Sequence, residues 1–150
     1  MDYRLNNATF VRAILVKISY SRWIPSIIRI YLMKLSGTKF KNVNSVFIGA
    51  NVSIDTHYPH FLSIGKNVQI TQGVKILCHS VDLQSENFRE HFCLKVEIGN
   101  NVFIGVNSII SPGVKISDNI VIASGSVVID DCEKEGIYAG IPAKFKKSLK

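Results

Sequence analysis

An aliphatic residue returns every six positions through most of this chain, and that period constrains the fold more than any other feature. From Ile98 the series runs Ile98, Ile104, Ile110, Ile116, Ile122 and Val128. Four residues after each come Val102, Ser108, Val114, Ile120, Ser126 and Cys132, which are small or medium-sized. Turn-forming stretches separate them: Gly99-Asn100-Asn101, Ser111-Pro112-Gly113, Ser117-Asp118-Asn119 and Ser124-Gly125. Upstream, the same register holds at Ile48, Ile54, Ile64, Ile70 and Ile76, with one irregular step through His60. A helix needs a period of 3.6 and a lone strand a period of two. A period of six instead describes a short strand plus a turn. Three such units close a triangular coil, and coils stack by parallel pairing with the aliphatic residue inward. One unit cannot bury its apolar face alone, so several coils are required. The fold class expected is an all-β solenoid, a parallel β-helix over residues 38–143.

Two segments leave the register. Residues 80–95 (SVDLQSENFREHFCLK) lie between Ile76 and Ile98 with mixed charge and no periodicity, so they form an excursion loop from the coil. Excursions on repeat proteins commonly carry function. The other is the corner Thr56-His57-Tyr58-Pro59-His60. Both ends also differ from the coil. Phe10, Ile14 and Ile18, with Val11 and Leu15, sit at helical spacing, and Pro25 opens a second helix that Gly37 ends. An N-terminal helical segment over 1–37 is therefore expected to cap the open edge of the solenoid. A basic amphipathic stretch resting on an anionic membrane is the second reading; capping is favoured. Lys144, Lys146, Lys147 and Lys150 form a basic C-terminal tail, 144–150, either solvated or set to bind cofactor phosphates.

The chain has 150 residues, enough for one domain, and a formal net charge of +7 that predicts an anionic partner. Three irregularly spaced cysteines, Cys78, Cys93 and Cys132, do not form a disulfide framework and read as reduced thiols of a cytoplasmic protein. No stretch has the pattern of a secretory signal. The apolar stretch 10–35 is broken by Arg12, Lys17, Arg22, Pro25, Arg29 and Lys34, which argues against a spanning helix.

The residues VEIGNNVFIGVNSIISPGVKISDNIVIASGSVV, followed by AGIPAK, resemble the C-terminal signature of the hexapeptide-repeat acyltransferases, including maltose and galactoside O-acetyltransferases. The stretch ITQGVKILCHSVD, preceded by IDTHYPHFLSIG, is similar to bacterial sugar acetyltransferases of surface-polysaccharide work. The resemblance implies a left-handed coil, a homotrimer and acetyl-CoA bound between neighbouring coils. It implies acetyl transfer to a hydroxyl of a sugar, in the cytoplasm or peripherally at the inner membrane face. A histidine at the end of the loop-bearing coil takes the proton from the acceptor hydroxyl in that family, and here it maps to His79. Imidazole suits that task because an alcohol is a poor nucleophile at neutral pH. Asp55, Asp82 and His57 are candidates by position to orient the imidazole or the acceptor. For the cofactor, the resemblance points to Phe103, where many relatives have Trp, to Gly105 and Val106, to Ser124 beside the pantetheine, and to Lys144 near the phosphates. The backbone N–H of Val106 would support the thioester oxyanion.

Two other readings compete. A γ-type carbonic anhydrase of the same fold needs three imidazoles around zinc. The usual pair of histidines five positions apart is missing, because His79 is followed at that spacing by Gln84. No metal site is expected. A non-catalytic β-helix binding protein is the other, but no nucleic-acid motif appears, and no nucleic-acid partner is expected. Cys78 adjoins His79, and neighbours on a strand face opposite sides, so Cys78 is not read as a nucleophile.

Overall fold

The computed structural model describes residues 7–81 and 91–149. Its body is a triangular coil of short parallel strands on three faces. Face A stacks Lys39–Phe40, Leu62–Ile64, Val96–Ile98 and Lys115–Ile116. Face B stacks Val46–Ile48, Val68–Ile70, Val102–Ile104, Ile120–Ile122 and Gly136–Gly140, closed by the antiparallel strand Ala143–Lys147. Face C stacks Ser53–Ile54, Lys75–Ile76, Ile109–Ile110 and Val127–Val128.

The six-residue series forms the core. Ile48, Ile70, Ile104 and Ile122 stack in register on face B, and Ile54, Ile76, Ile110 and Val128 on face C. Ile64, Ile98 and Ile116 do the same on face A, and all these side chains are buried. The residues four positions on, including Ser108, Ser126 and Cys132, are buried as well. An uninterrupted coil takes 18 residues, the separation of the hydrogen-bonded pair Asn101 and Asn119. The step between Asn67 and Asn101 is 34 residues because it contains the excursion. These three asparagines share a left-handed backbone, with φ of 54°, 55° and 58°. Their short amides tolerate that conformation and form a ladder up the corner between faces A and B. Asn67 donates to Asn101 at 3.1 Å, Asn101 to Asn119 at 2.9 Å, and Asn119 to Glu135 at 2.6 Å.

The excursion begins as a hairpin in which His79–Val81 pairs antiparallel with His91–Cys93. Residues 82–90, Asp82 among them, lie outside the described residues.

Helix α1 (Asn7–Ser19) and helix α2 (Ser26–Ser36) precede the coil. Pro25 stands at the start of α2, and Gly37 ends it at φ 119°, its N–H donated to the carbonyl of Lys34. α2 covers the exposed edge of face B. Ser26 Oγ accepts the N–H of Ile48 at 2.9 Å, and Arg29 Nη1 donates to the Ile48 carbonyl at 2.7 Å. Arg29 is 2% exposed and also donates to the carbonyls of Ser19, Ser21 and Ile24. A buried guanidinium is tolerable there because carbonyl oxygens surround it. The helices thus cap the edge, and the apolar stripe that the spacing marks on α1 faces outward. Phe10, Val11, Ile14 and Ile18 are exposed, while Val16 and Ser19 on the opposite side of α1 are buried.

The C-terminal lysines differ too. Read from sequence as a tail, residues 144–147 are strand, because Phe145 alternates inward to pack edge-on against Tyr138 at 5.6 Å.

Candidate active site

The site grows from the end of one coil strand. After Ile54 the chain must turn at the 56–60 corner, and Asp55 holds that turn. Its Oδ1 accepts the backbone N–H groups of His57 and Tyr58, each at 3.1 Å. Its Oδ2 accepts the N–H of Cys78 from the next coil at 3.2 Å and meets Nδ1 of His79. Stacking of Ile54 on Ile76 brings the two segments together. The Asp55 side chain is 1% exposed and that of His79 is 38% exposed. The acid is thus sealed in the protein, and the imidazole stands at its surface. Tyr58 packs against the imidazole, with ring centroids 5.8 Å apart.

This arrangement defines the imidazole chemically. A neutral imidazole donates from one nitrogen and accepts at the other. A carboxylate at Nδ1 selects the Nδ1–H tautomer, which carries its basic lone pair on Nε2. Once protonated, the ring sits beside a buried anion that stabilises the positive charge. The adjacent Cys78 is buried and its thiol is pushed up to about 12, first by burial and then by the Asp55 charge. It stays a thiol at neutral pH and is no nucleophile.

Of the expected orienting residues, Asp55 touches His79, whereas His57 contributes its backbone N–H to Asp55 and leaves its side chain exposed. His60 is also exposed, and its pKa is lowered by partial burial and by the Arg12 and Lys39 charges. Sequence reasoning did not single out Tyr58. Its only signal was membership of the irregular corner.

Three of the expected cofactor positions, Gly105, Val106 and Ser124, gather elsewhere, at the corner between faces B and C. Phe103 points outward on face B and is partly exposed. Gly105 lies directly beneath Ser124 of the next coil: a Cβ on Gly105 would meet the Ser124 nitrogen at 2.4 Å. Val106 is exposed, and its carbonyl accepts the N–H of Gly125 at 2.8 Å. Gly105, Val106 and Ser124 thus form one column running up the coil. Lys144 sits at the C-terminal end, where its Nζ pairs with Asp130 at 2.8 Å, both side chains more than half exposed. His79 follows the face C strand Lys75–Ile76, whereas Gly105 and Val106 precede Ile109–Ile110 on the same face. The acid–imidazole pair and the column expected to serve the cofactor therefore occupy opposite edges of face C.

A groove of about 460 Å³ opens on face A, lined by Glu97, Asp118, Glu133 and Glu135 with Lys115. Its acidic lining disfavours an anionic cofactor, and it is not at His79. Among the described residues, no group of three His, Cys, Asp or Glu side chains converges as a metal site.

Comparison with known proteins agrees with this architecture. The sequence model of the hexapeptide repeat of succinyl-transferase matches residues 95–129. The galactoside O-acetyltransferase of Escherichia coli K12 is 35% identical over 102 residues, which cover 67% of this chain and 50% of that protein. Protein CapG of Staphylococcus aureus is 40% identical over 111 residues, covering 69% of this chain and 62% of CapG. A galactoside acetyltransferase solved in complex with coenzyme A superimposes with a TM-score of 0.73 at 25% identity, covering 100% of this chain and 84% of that one. The chain belongs to the hexapeptide-repeat family and folds as a left-handed parallel β-helix. The chain spans about half the length of the first curated relatives it matches.

Proposed function

We propose that this protein is an acetyl-CoA-dependent O-acetyltransferase that moves an acetyl group to a hydroxyl of a sugar in surface-polysaccharide biosynthesis. The observation that carries the reading is the pairing of buried Asp55 with surface-exposed His79. Relatives named as acetyltransferases and a structural neighbour holding coenzyme A support the donor.

In the proposed reaction, Nε2 of His79 takes the proton from the acceptor hydroxyl as its oxygen attacks the thioester carbonyl. The new C–O bond gives a tetrahedral oxyanion, for which the backbone N–H of Val106 is the candidate donor. The C–S bond then breaks, and the imidazolium returns its proton to the departing thiolate, releasing free CoA thiol and the acetyl ester. Asp55 keeps the tautomer and offsets the imidazolium charge.

The working unit in this reading is a homotrimer acting in the cytoplasm. Face B presents an outward column of Phe47, Phe103, Val121 and Ile137, interrupted only by Gln69. Face A presents Lys39, Ser63, Glu97 and Lys115. Apolar columns favour burial against another chain. Threefold repetition of one heterologous contact would bring the His79 edge of one chain beside the cofactor column of its neighbour. The acceptor is a saccharide or its lipid-linked precursor.

The test is acetyl-CoA turnover against a panel of sugars, read as free thiol release, with light scattering on the same sample. Acceptor-dependent release by a trimer supports the reading. No release with any saccharide hydroxyl contradicts the function, and an active monomer contradicts the assembly.

A further inference from the structure

The formal charge of +7 is not spread over the molecule. Eight of the 18 Lys and Arg residues, but only one of the 11 Asp and Glu residues, precede Asp55. Residues 55–150 therefore carry equal numbers of each sign. The whole excess belongs to the helical end and the first coil, away from the cofactor column. Within residues 10–54 stand Arg12, Lys17, Arg22, Arg29, Lys34, Lys39 and Lys41, with no acidic residue at all. Arg29 is consumed by backbone carbonyls, whereas the others are exposed.

The same end carries apolar surface that the fold leaves uncovered. On α1 the side chains of Phe10, Val11, Ile14 and Ile18 form a stripe opposite its buried face. On α2 a second stripe, Ile27, Ile28, Tyr31 and Leu35, lies opposite buried Ile30 and Met33. Lys17 and Lys34 flank these stripes on the helix surface. Between the helices, Trp23 is 81% exposed, with the Arg22 guanidinium 4.9 Å above its ring. Both helices therefore have two distinct sides: one packs into the protein, α1 on α2 and α2 on the coil, and the other offers aliphatic and aromatic groups rimmed by cations.

We propose that the outward faces of α1 and α2, with Trp23, dock this protein on an anionic phospholipid surface. The chemistry selects that partner over the alternatives. Aliphatic stripes with flanking Lys and an exposed Trp match the headgroup–acyl boundary, where apolar groups sink and cations stay with phosphates. Nucleic acid would use the cations and leave the stripes wet. A second copy would cover the stripes but bring Lys17, Arg22 and Lys34 against like charges, with no acid among residues 10–54 to pair with them. No helix among the described residues is long and apolar enough to cross a membrane, so the contact is with one surface. The docking does not rest on the transfer chemistry: a chain that turns over no acetyl-CoA would still bind.

Trp23 is the only tryptophan, so its fluorescence reports on this face alone. The full chain is titrated with phosphatidylcholine vesicles, plain or about one-third phosphatidylglycerol, and sedimented with them. Expected are a blue shift of Trp23 and co-sedimentation with the anionic vesicles only, weakened by salt. Lys17→Gln with Lys34→Gln should lower the partition by roughly 30-fold, about fivefold for each cation removed. Ile14→Ser with Ile28→Ser should also lower it. All four side chains are exposed, and an unchanged circular dichroism spectrum verifies folding. Equal binding to neutral vesicles, or binding indifferent to the lysine changes, overturns the proposal. So does a Trp23 shift that follows protein concentration without lipid, which would assign the face to a second copy.

Discussion

The carboxylate of Asp55, buried at the end of one coil, meets Nδ1 of His79, carried on the next. Three backbone N–H groups, from His57, Tyr58 and Cys78, point at the same carboxylate. One acid therefore shapes a corner, joins two coils and orients the imidazole.

Asp55→Asn separates these roles. The amide oxygen still accepts from the 56–60 corner, but its NH₂ faces the Cys78 N–H and the Nδ1–H donor. Turnover should fall by roughly 10²–10⁴-fold as the tautomer is lost, with the Michaelis constant for acetyl-CoA nearly unchanged. Stability should fall by about 1–3 kcal/mol. Steady-state kinetics and urea unfolding check both. Normal turnover would show that Asp55 only holds the corner.

Gly105→Ala places a methyl group 2.4 Å from the Ser124 backbone nitrogen, where no flexible side chain can yield. It should cost roughly 1–3 kcal/mol of stability and raise the Michaelis constant for acetyl-CoA. Gly125→Ala meets nothing within 4 Å but must adopt φ of +70°. It should cost about 1 kcal/mol through backbone strain alone. Equal unfolding midpoints for Gly105→Ala and the parent would contradict the packing of Gly105 beneath Ser124.

The Lys144–Asp130 pair gives a prediction of sign. An exposed pair contributes little to stability, so either change should shift it by less than about 0.5 kcal/mol. If Lys144 serves the cofactor phosphates, Lys144→Ala weakens CoA binding by roughly 1–2 kcal/mol. Asp130→Ala, which releases the lysine and removes a repelling charge, tightens it. Calorimetric titration with CoA reads both, and weakening in both variants would assign Lys144 a structural role.

Much of this architecture was legible in the sequence, for a physical reason. Each inward Ile of the six-residue series packs on its counterpart one coil away, so composition and geometry share a period. Ser108 and Cys132 at the smaller positions are buried for the same reason. The pairing of Asp55 with His79 was legible only by position. It depends on how the coil closes across an irregular corner, and that step departs from the repeat. The direction of the α1 stripe was not legible, because helical spacing finds an apolar face without saying what covers it. Ser19, polar and buried, lies on the packing side, its hydroxyl donating to the Val16 carbonyl at 2.6 Å. The lysine-rich end became a strand because Phe145 had Tyr138 to pack against, a contact outside the six-residue period.

The turn between faces A and B contributes a pH-dependent increment of stability. Asp118 accepts the backbone N–H of Asn100 at 2.7 Å and its amide at 2.9 Å, and these bonds lower its pKa below the usual carboxylate range. A depressed carboxylate pKa stabilises the fold above the unfolded-state value, near about 4, and the gain is lost as pH falls through the folded value. Unfolding midpoints should therefore drop in that acid window, and drop less in Asp118→Asn. Identical slopes in parent and variant would contradict the assignment.

The most direct measurement is turnover of His79→Ala with acetyl-CoA and a saccharide acceptor. The account predicts a loss of roughly 10²–10⁴-fold, with CoA affinity and fold retained, because the imidazole acts at the surface and not in the core. His57→Ala and His60→Ala, which remove exposed side chains and leave the His57 backbone N–H on Asp55 in place, should cost far less. Near-normal turnover by His79→Ala would contradict the account.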